Sequence, residues 1–127
     1  MGIDPHTELV NVWNVYRDSI HLGDADGLAR IFHPSASMFY VVDGKITVMP
    51  IDKYIEVVRN RVAPVKSGAR RDERLISLAV PSVDSAVLTA TIRILGKSFT
   101  DQLVMLKTES VWQIVAKTYH LDSESQD

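Results

Sequence analysis

The sequence predicts an α+β fold: one curved, mixed or antiparallel sheet with three N-terminal helices on its concave face. Helical periodicity is confined to the first half of the chain. Four consecutive β-type runs follow it, and an Asp43-Gly44 hairpin signal sits among the helices.

Asp4-Pro5 supplies an N-cap and a proline for the first helical turn. Leu9, Val12, Trp13, Tyr16 and Ile20 then recur at helical spacing, with Glu8, Asn11, Asn14, Arg17 and Asp18 between them. Gly23 ends this helix, and Asp24 caps a short second one carrying Leu28, Ile31 and Phe32, which His33-Pro34 terminates. Ala36 to Val42 reads as a strand that returns through Asp43-Gly44 as Lys45 to Met49. Pro50 opens a third helix through Arg61, with Ile51, Tyr54, Ile55 and Val58 inward. Residues 63–73 form a polar loop, and strands follow at 74–80, 85–95, 98–107 and 111–120. The tail from Asp122 has nothing to bury and is expected to fray.

The hairpin Lys97–His120 carries the functional expectation. With an even-numbered turn, Lys107 faces Trp112, and the pairs Met105/Ile114, Leu103/Ala116, Asp101/Thr118 and Phe99/His120 share one face. Ala86, Leu88, Ala90, Ile92 and Ile94 join that face from the preceding strand. It is apolar along most of its length, and its polar members, Asp101, Thr118 and His120, gather at one end. Such a surface describes a small-molecule pocket. The opposite face, from Val87, Thr89 and Thr91 to Val115, Lys117 and Tyr119, mixes apolar and polar groups in a way that suits a sheet-to-sheet homodimer.

Composition narrows the function classes. At 127 residues the chain reads as one domain, with 46% hydrophobic and 24% charged residues. A net charge of −2 without a basic face argues against nucleic acid. The absence of cysteine removes disulfides, thiol nucleophiles and thiolate metal sites. No secretion signal or bilayer-length apolar run is visible, so a cytoplasmic protein with no membrane partner is expected. Neither a phosphate loop, a dinucleotide fingerprint nor a serine-hydrolase elbow is present, and no cofactor is expected. His33, Asp101 and His120 lack local ligand spacing, so no metal site is expected.

Tyr16 with Gly23-Asp24, Ile31-Phe32-His33-Pro34-Ser35-Ala36, Gly44, Tyr54, the Arg70–Arg74 cluster, Phe99-Thr100-Asp101 and Trp112–His120 occur in a characteristic order. In these residues, spanning about 8–120, the chain resembles the NTF2-like (cystatin-like) superfamily, in the bacterial branch catalogued as "putative lumazine-binding" or SnoaL-like proteins. The resemblance implies a cone-shaped fold, a pocket between helices and sheet, and commonly a homodimer. It implies no reaction, because the fold hosts isomerases, cyclases, dehydratases, transport factors and binders. By analogy with the ketosteroid isomerase branch, Tyr16 matches the helix-one tyrosine. Tyr40 stands where that branch has its catalytic base, and its oxyanion acid falls near Leu103. The SnoaL analogy needs an acid–base aspartate, a role open to Asp101 with His120 or His33 beside it.

Asp101 and His120 are therefore the catalytic candidates, as a carboxylate–imidazole proton shuttle; the bland alternative is an ion pair at a sheet end. His33 either satisfies backbone carbonyls at its junction or lines the pocket. The Tyr16 hydroxyl either finds a core partner or points into the cavity. Trp13, Phe39, Tyr54 and Trp112 fit core roles, and Trp13 and Phe39 stand with Phe99 and Thr118 among the ligand-binding candidates. Two functions are compatible with these residues: a binding protein for a small molecule such as a pterin or lumazine, or an acid–base isomerase or lyase for a small hydrophobic substrate.

Overall fold

A computed structural model describes residues 4–68 and 70–124. Helices α1 (Pro5–Leu22) and α2 (Ala25–Ile31) lead into strands β1 (Phe32–Val42) and β2 (Lys45–Pro50), then α3 (Ile51–Asn60) and a 3₁₀ turn (Pro64–Ser67). Strands β3 (Glu73–Ser82), β4 (Ser85–Ile94), β5 (Lys97–Thr108) and β6 (Val111–Glu124) complete the chain. The six strands form one curved sheet in the order β2-β1-β6-β5-β4-β3. All neighbours are antiparallel except β1 and β6, which makes the sheet mixed.

The helix starts follow their capping chemistry. Asp4 accepts from the His6 amide and Asp24 from the Gly27 amide, each satisfying a first-turn N–H. Gly23 ends α1 at φ 69°, where a side chain is strained, and a Cβ there would stand 2.8 Å from Ala63 Cβ. Leu9, Trp13, Tyr16 and Ile20 of α1, Leu28 of α2 and Tyr54 and Val58 of α3 pack on Ala86, Leu88, Ala90, Leu103, Met105 and Ile114 from the inner sheet face.

Some boundaries shift. Helix α2 stops at Ile31, and Phe32-His33-Pro34 already belongs to β1, whose pairing with β6 slips between Phe32 and Ser37; that irregular stretch accommodates the proline. The tail does not fray at Asp122. β6 continues to Glu124, with Ser123 and Glu124 opposite Ser98 and Lys97, while Thr100 Oγ1 donates to Asp122 at 2.6 Å.

The β5–β6 register holds the main surprise. The turn is even, as expected: Thr108 pairs with Val111, and Glu109 and Ser110 both adopt positive φ. Lys107/Trp112 and Met105/Ile114 pair as read from the sequence. Between Met105/Ile114 and Val104/Ala116, however, Val115 is an extra residue on β6, a β-bulge. From there to Leu121, where Asp122 makes a second irregularity, every side chain of β6 changes face. Leu103 now opposes Lys117, Asp101 opposes Tyr119, and Phe99 opposes Leu121. Lys117 and Tyr119 thus turn inward, and Thr118 and His120 turn outward.

Candidate functional site

Tyr16 projects from the buried stripe of α1 and Asp101 from the inner face of β5. The phenol donates a 2.5 Å hydrogen bond to Asp101 Oδ2, with both residues buried. Lys117, brought inward by the bulge, puts its ammonium 3.7 Å from the same Oδ2. The ammonium also donates to the Tyr54 hydroxyl at 3.4 Å and lies 4.4 Å from the Tyr54 ring centre and 5.3 Å from that of Tyr16. Side chains of Asp101 and Lys117 are 2% and 4% exposed, so this is a fully buried ion pair.

Burial shapes the protonation of these groups. Desolvation pushes the Tyr16 phenol well above its usual 10.0, and the adjacent Asp101 charge pushes it further. For Lys117, burial works downward, but Asp101 and the hydrogen-bonded Tyr54 outweigh it and the net shift is upward from 10.5. Near neutral pH the site is a neutral phenol and an ammonium gathered around one carboxyl group.

Asp101, Lys117 and Tyr54 of this cluster form one wall of a cavity of about 260 Å³, lined also by Met38, Met49, Ile94, Phe99 and Arg61. Its roof is α3 and its mouth lies near the β4–β5 turn, so α1 supplies the buried Tyr16 and not the cover. Arg61, Lys97 and Lys117 are its cationic members, against the single carboxylate of Asp101. Phe99 and Tyr119 meet edge to face at 5.7 Å, and Tyr40 stacks on Tyr119 at 4.9 Å, fixing the aromatic side of the cavity.

The expected residues scatter. Asp101, Tyr16 and Phe99 come together, the first and last on the cavity wall. His120 does not join them: its side chain is 79% exposed and its Nδ1 lies 2.8 Å from Asp122 on the outer side, because the Val115 bulge reverses its direction. The Asp101–His120 pair is therefore withdrawn. Thr118 follows His120 outward and donates to Gln102 at 3.2 Å. His33 is exposed in β1, accepting from the Ser35 amide at 3.0 Å, and does not reach the cavity. Trp13 is core, stacked on Tyr16 at 6.0 Å. Phe39 lines a different, wider hollow of about 630 Å³ with Ile46, Thr118, His120 and Leu121. That hollow is larger, but Thr118, His120 and Lys97 in it are exposed, so it gathers no buried charge. Lys117, Tyr54, Arg61 and Tyr119 were not anticipated; a lysine interrupting the apolar run of β6 opposite a strand carrying Asp101 was the available signal.

Leu103 is core, and the acidic group against Tyr16 is Asp101. Among the described residues no group of three or more His, Cys, Asp or Glu could hold a metal ion, and no helix is long and apolar enough to cross a membrane.

Among curated proteins no match is found. The fold is shared with an NTF2-like protein of unknown function from Shewanella baltica, 26% identical over 94% of each chain with a TM-score of 0.84. A similar protein of unknown function from Silicibacter pomeroyi is 25% identical over 91% of this chain and 93% of its own, TM-score 0.79. A ketosteroid isomerase-like protein from Erwinia carotovora atroseptica shares the fold at 12% identity, covering 92% of this chain and 95% of its own, with a TM-score of 0.68. The family described as "Putative lumazine-binding" matches residues 4–120, and with its NTF2-like, cystatin-like fold the chain belongs to that family.

Proposed function

We propose that the protein is a small-molecule binding protein whose ligand occupies the cavity between α3 and the sheet, with its polar end at Asp101 and Lys117. One observation carries this reading: a buried ion pair lines a cavity whose other walls are largely apolar. Removing two charges from water costs several kcal/mol per ion, and an apolar pair of similar volume often serves a core better. A ligand that uses the pair gives it a purpose that packing alone does not. An apolar cavity of ~150 Å³ holds benzene; about 260 Å³ therefore suits one substituted ring or a compact bicycle such as a pterin or lumazine.

Calorimetric titration with lumazine, pterin and simple bicyclic ring compounds tests the proposal. Saturable one-to-one binding that is lost on filling the cavity with Ile94→Trp supports it. Binding unaffected by that substitution places the ligand elsewhere.

A second reading, an acid–base isomerase or lyase, draws on the short Tyr16–Asp101 contact. Two things speak against it: the Tyr16 hydroxyl is already engaged as a donor to Asp101, and both Tyr16 and Lys117 are pushed away from neutrality, where a proton-transfer group works best. An enzyme would lose turnover in Asp101→Asn while keeping most of its substrate affinity.

The outer sheet face is proposed to pair two copies of the chain. Val87, Val104 and the 45% exposed Leu106 alternate there with Thr89 and Gln102, a mixture more apolar than solvent requires. Light scattering on the wild type and on Val104→Glu reads the mass directly: a dimer turned into a monomer is the expected change.

A further inference from the structure

Arg61 follows the last residue of α3, its backbone amide held by Val57 O at 3.0 Å, and its side chain lines the cavity. Its Nε and Nη2 are both excluded from water and have no hydrogen-bond partner among the described residues. These two nitrogens form one edge of the guanidinium, the edge that meets both oxygens of a carboxylate side by side. A guanidinium cannot shed its proton to escape burial as lysine can, so an unpaired one is held ready for an anion.

Among the described residues no anion answers it. Asp101, the cavity's carboxylate, has its Oδ2 engaged by Tyr16 and Lys117, and Arg61 forms no ion pair among the described residues. Lys117 feels the charge of Arg61 as repulsion, which works against its upward shift. Lys97 adds a further cation near the mouth. Of the other lining residues, Met38, Met49, Val57, Ile94, Leu95 and Phe99 are apolar, and Tyr54 and Tyr119 add hydroxyls. A ligand that satisfies both halves is greasy at one end and anionic at the other.

We propose that Arg61 is the carboxylate-binding residue of the cavity and that the ligand is a compact hydrophobic or aromatic carboxylic acid. This rests on the small-molecule reading of the same cavity and names its ligand class. A planar carboxylate is favoured over a phosphate because the unpaired donors are the two of a single flat edge, which two carboxylate oxygens meet side by side.

Titration of the full chain with 2-naphthoate, neutral 2-naphthamide and 2-naphthyl phosphate at fixed ionic strength tests this. The expected result is at least about tenfold tighter binding of the acid than of the amide, with the phosphate weaker than the acid. Arg61→Gln should reduce the acid's advantage to about twofold or less, weakening the acid far more than the amide, and Arg61→Lys should restore part of it. An amide bound as tightly as the acid, or a preference that survives Arg61→Gln, overturns the acid assignment and leaves the pocket standing. A phosphate bound most tightly overturns the carboxylate. If none of the three binds, the pocket reading falls as well.

Discussion

Tyr16 and Asp101, 85 residues apart in sequence, meet through a 2.5 Å hydrogen bond where α1 crosses the centre of the sheet. The contact ties the first helix to the fifth strand, and Lys117 completes it from the sixth. A polar joint of this kind, buried on both sides, is costly to break halfway.

Removing one partner should therefore hurt more than removing both. Asp101→Leu leaves the Lys117 ammonium buried without its counter-charge, for an expected loss of about 3–5 kcal/mol in urea denaturation. The double substitution Asp101→Leu with Lys117→Met should recover most of that loss. A double variant as unstable as the single would show that the two groups do not act as a pair.

Alkaline pH should weaken the fold. Lys117 and Tyr16 both hold their protons more tightly when folded than at their ordinary 10.5 and 10.0. Their contribution is intact below about pH 10 and declines as pH rises toward the folded values, because the unfolded chain releases these protons first. Urea midpoints followed by tryptophan fluorescence should be flat near pH 8 and fall beyond about pH 10. Tyr16→Phe should remove part of that fall, and an identical slope in the variant would contradict the Tyr16 assignment.

Much of the architecture was legible because several cues agreed. Asp4 and Asp24 cap helices, Gly23 stops one, and Asp43-Gly44 and the 109–110 turn set even hairpin registers. The inner face of β4 followed directly from alternation. The site was half visible. Asp101, Tyr16 and Phe99 lie before the bulge or on other elements, so alternation and helical spacing already point them inward. Alternation does not do so for Lys117 and Tyr119, because Ile114, Val115 and Ala116 are all apolar: either register buries apolar groups there, and no glycine or proline marks the extra residue. Arg61 escaped notice because a basic residue at a helix end ordinarily reads as a match for the helix dipole.

The reversed register has its own test. His120, exposed and among the described residues paired only with Asp122, should tolerate replacement by alanine within about 0.5 kcal/mol and without any change in ligand affinity. A loss of binding in His120→Ala would return it to the site.

Arg61→Met should leave the free chain as stable as the wild type or raise its stability by roughly 1 kcal/mol, since the substitution removes buried unpaired donors. Thermal denaturation measures this directly. A marked drop would mean that Arg61 serves the fold and not a ligand.

The most direct test follows ¹H–¹⁵N correlation spectra during titration with 2-naphthoate. Saturable shifts at the amides of Arg61, Phe99, Asp101 and Lys117 are expected, with Phe39, Thr118 and His120 unmoved. Shifts confined to those last three would move the ligand to the outer hollow and contradict an inward-facing site at Asp101 and Lys117.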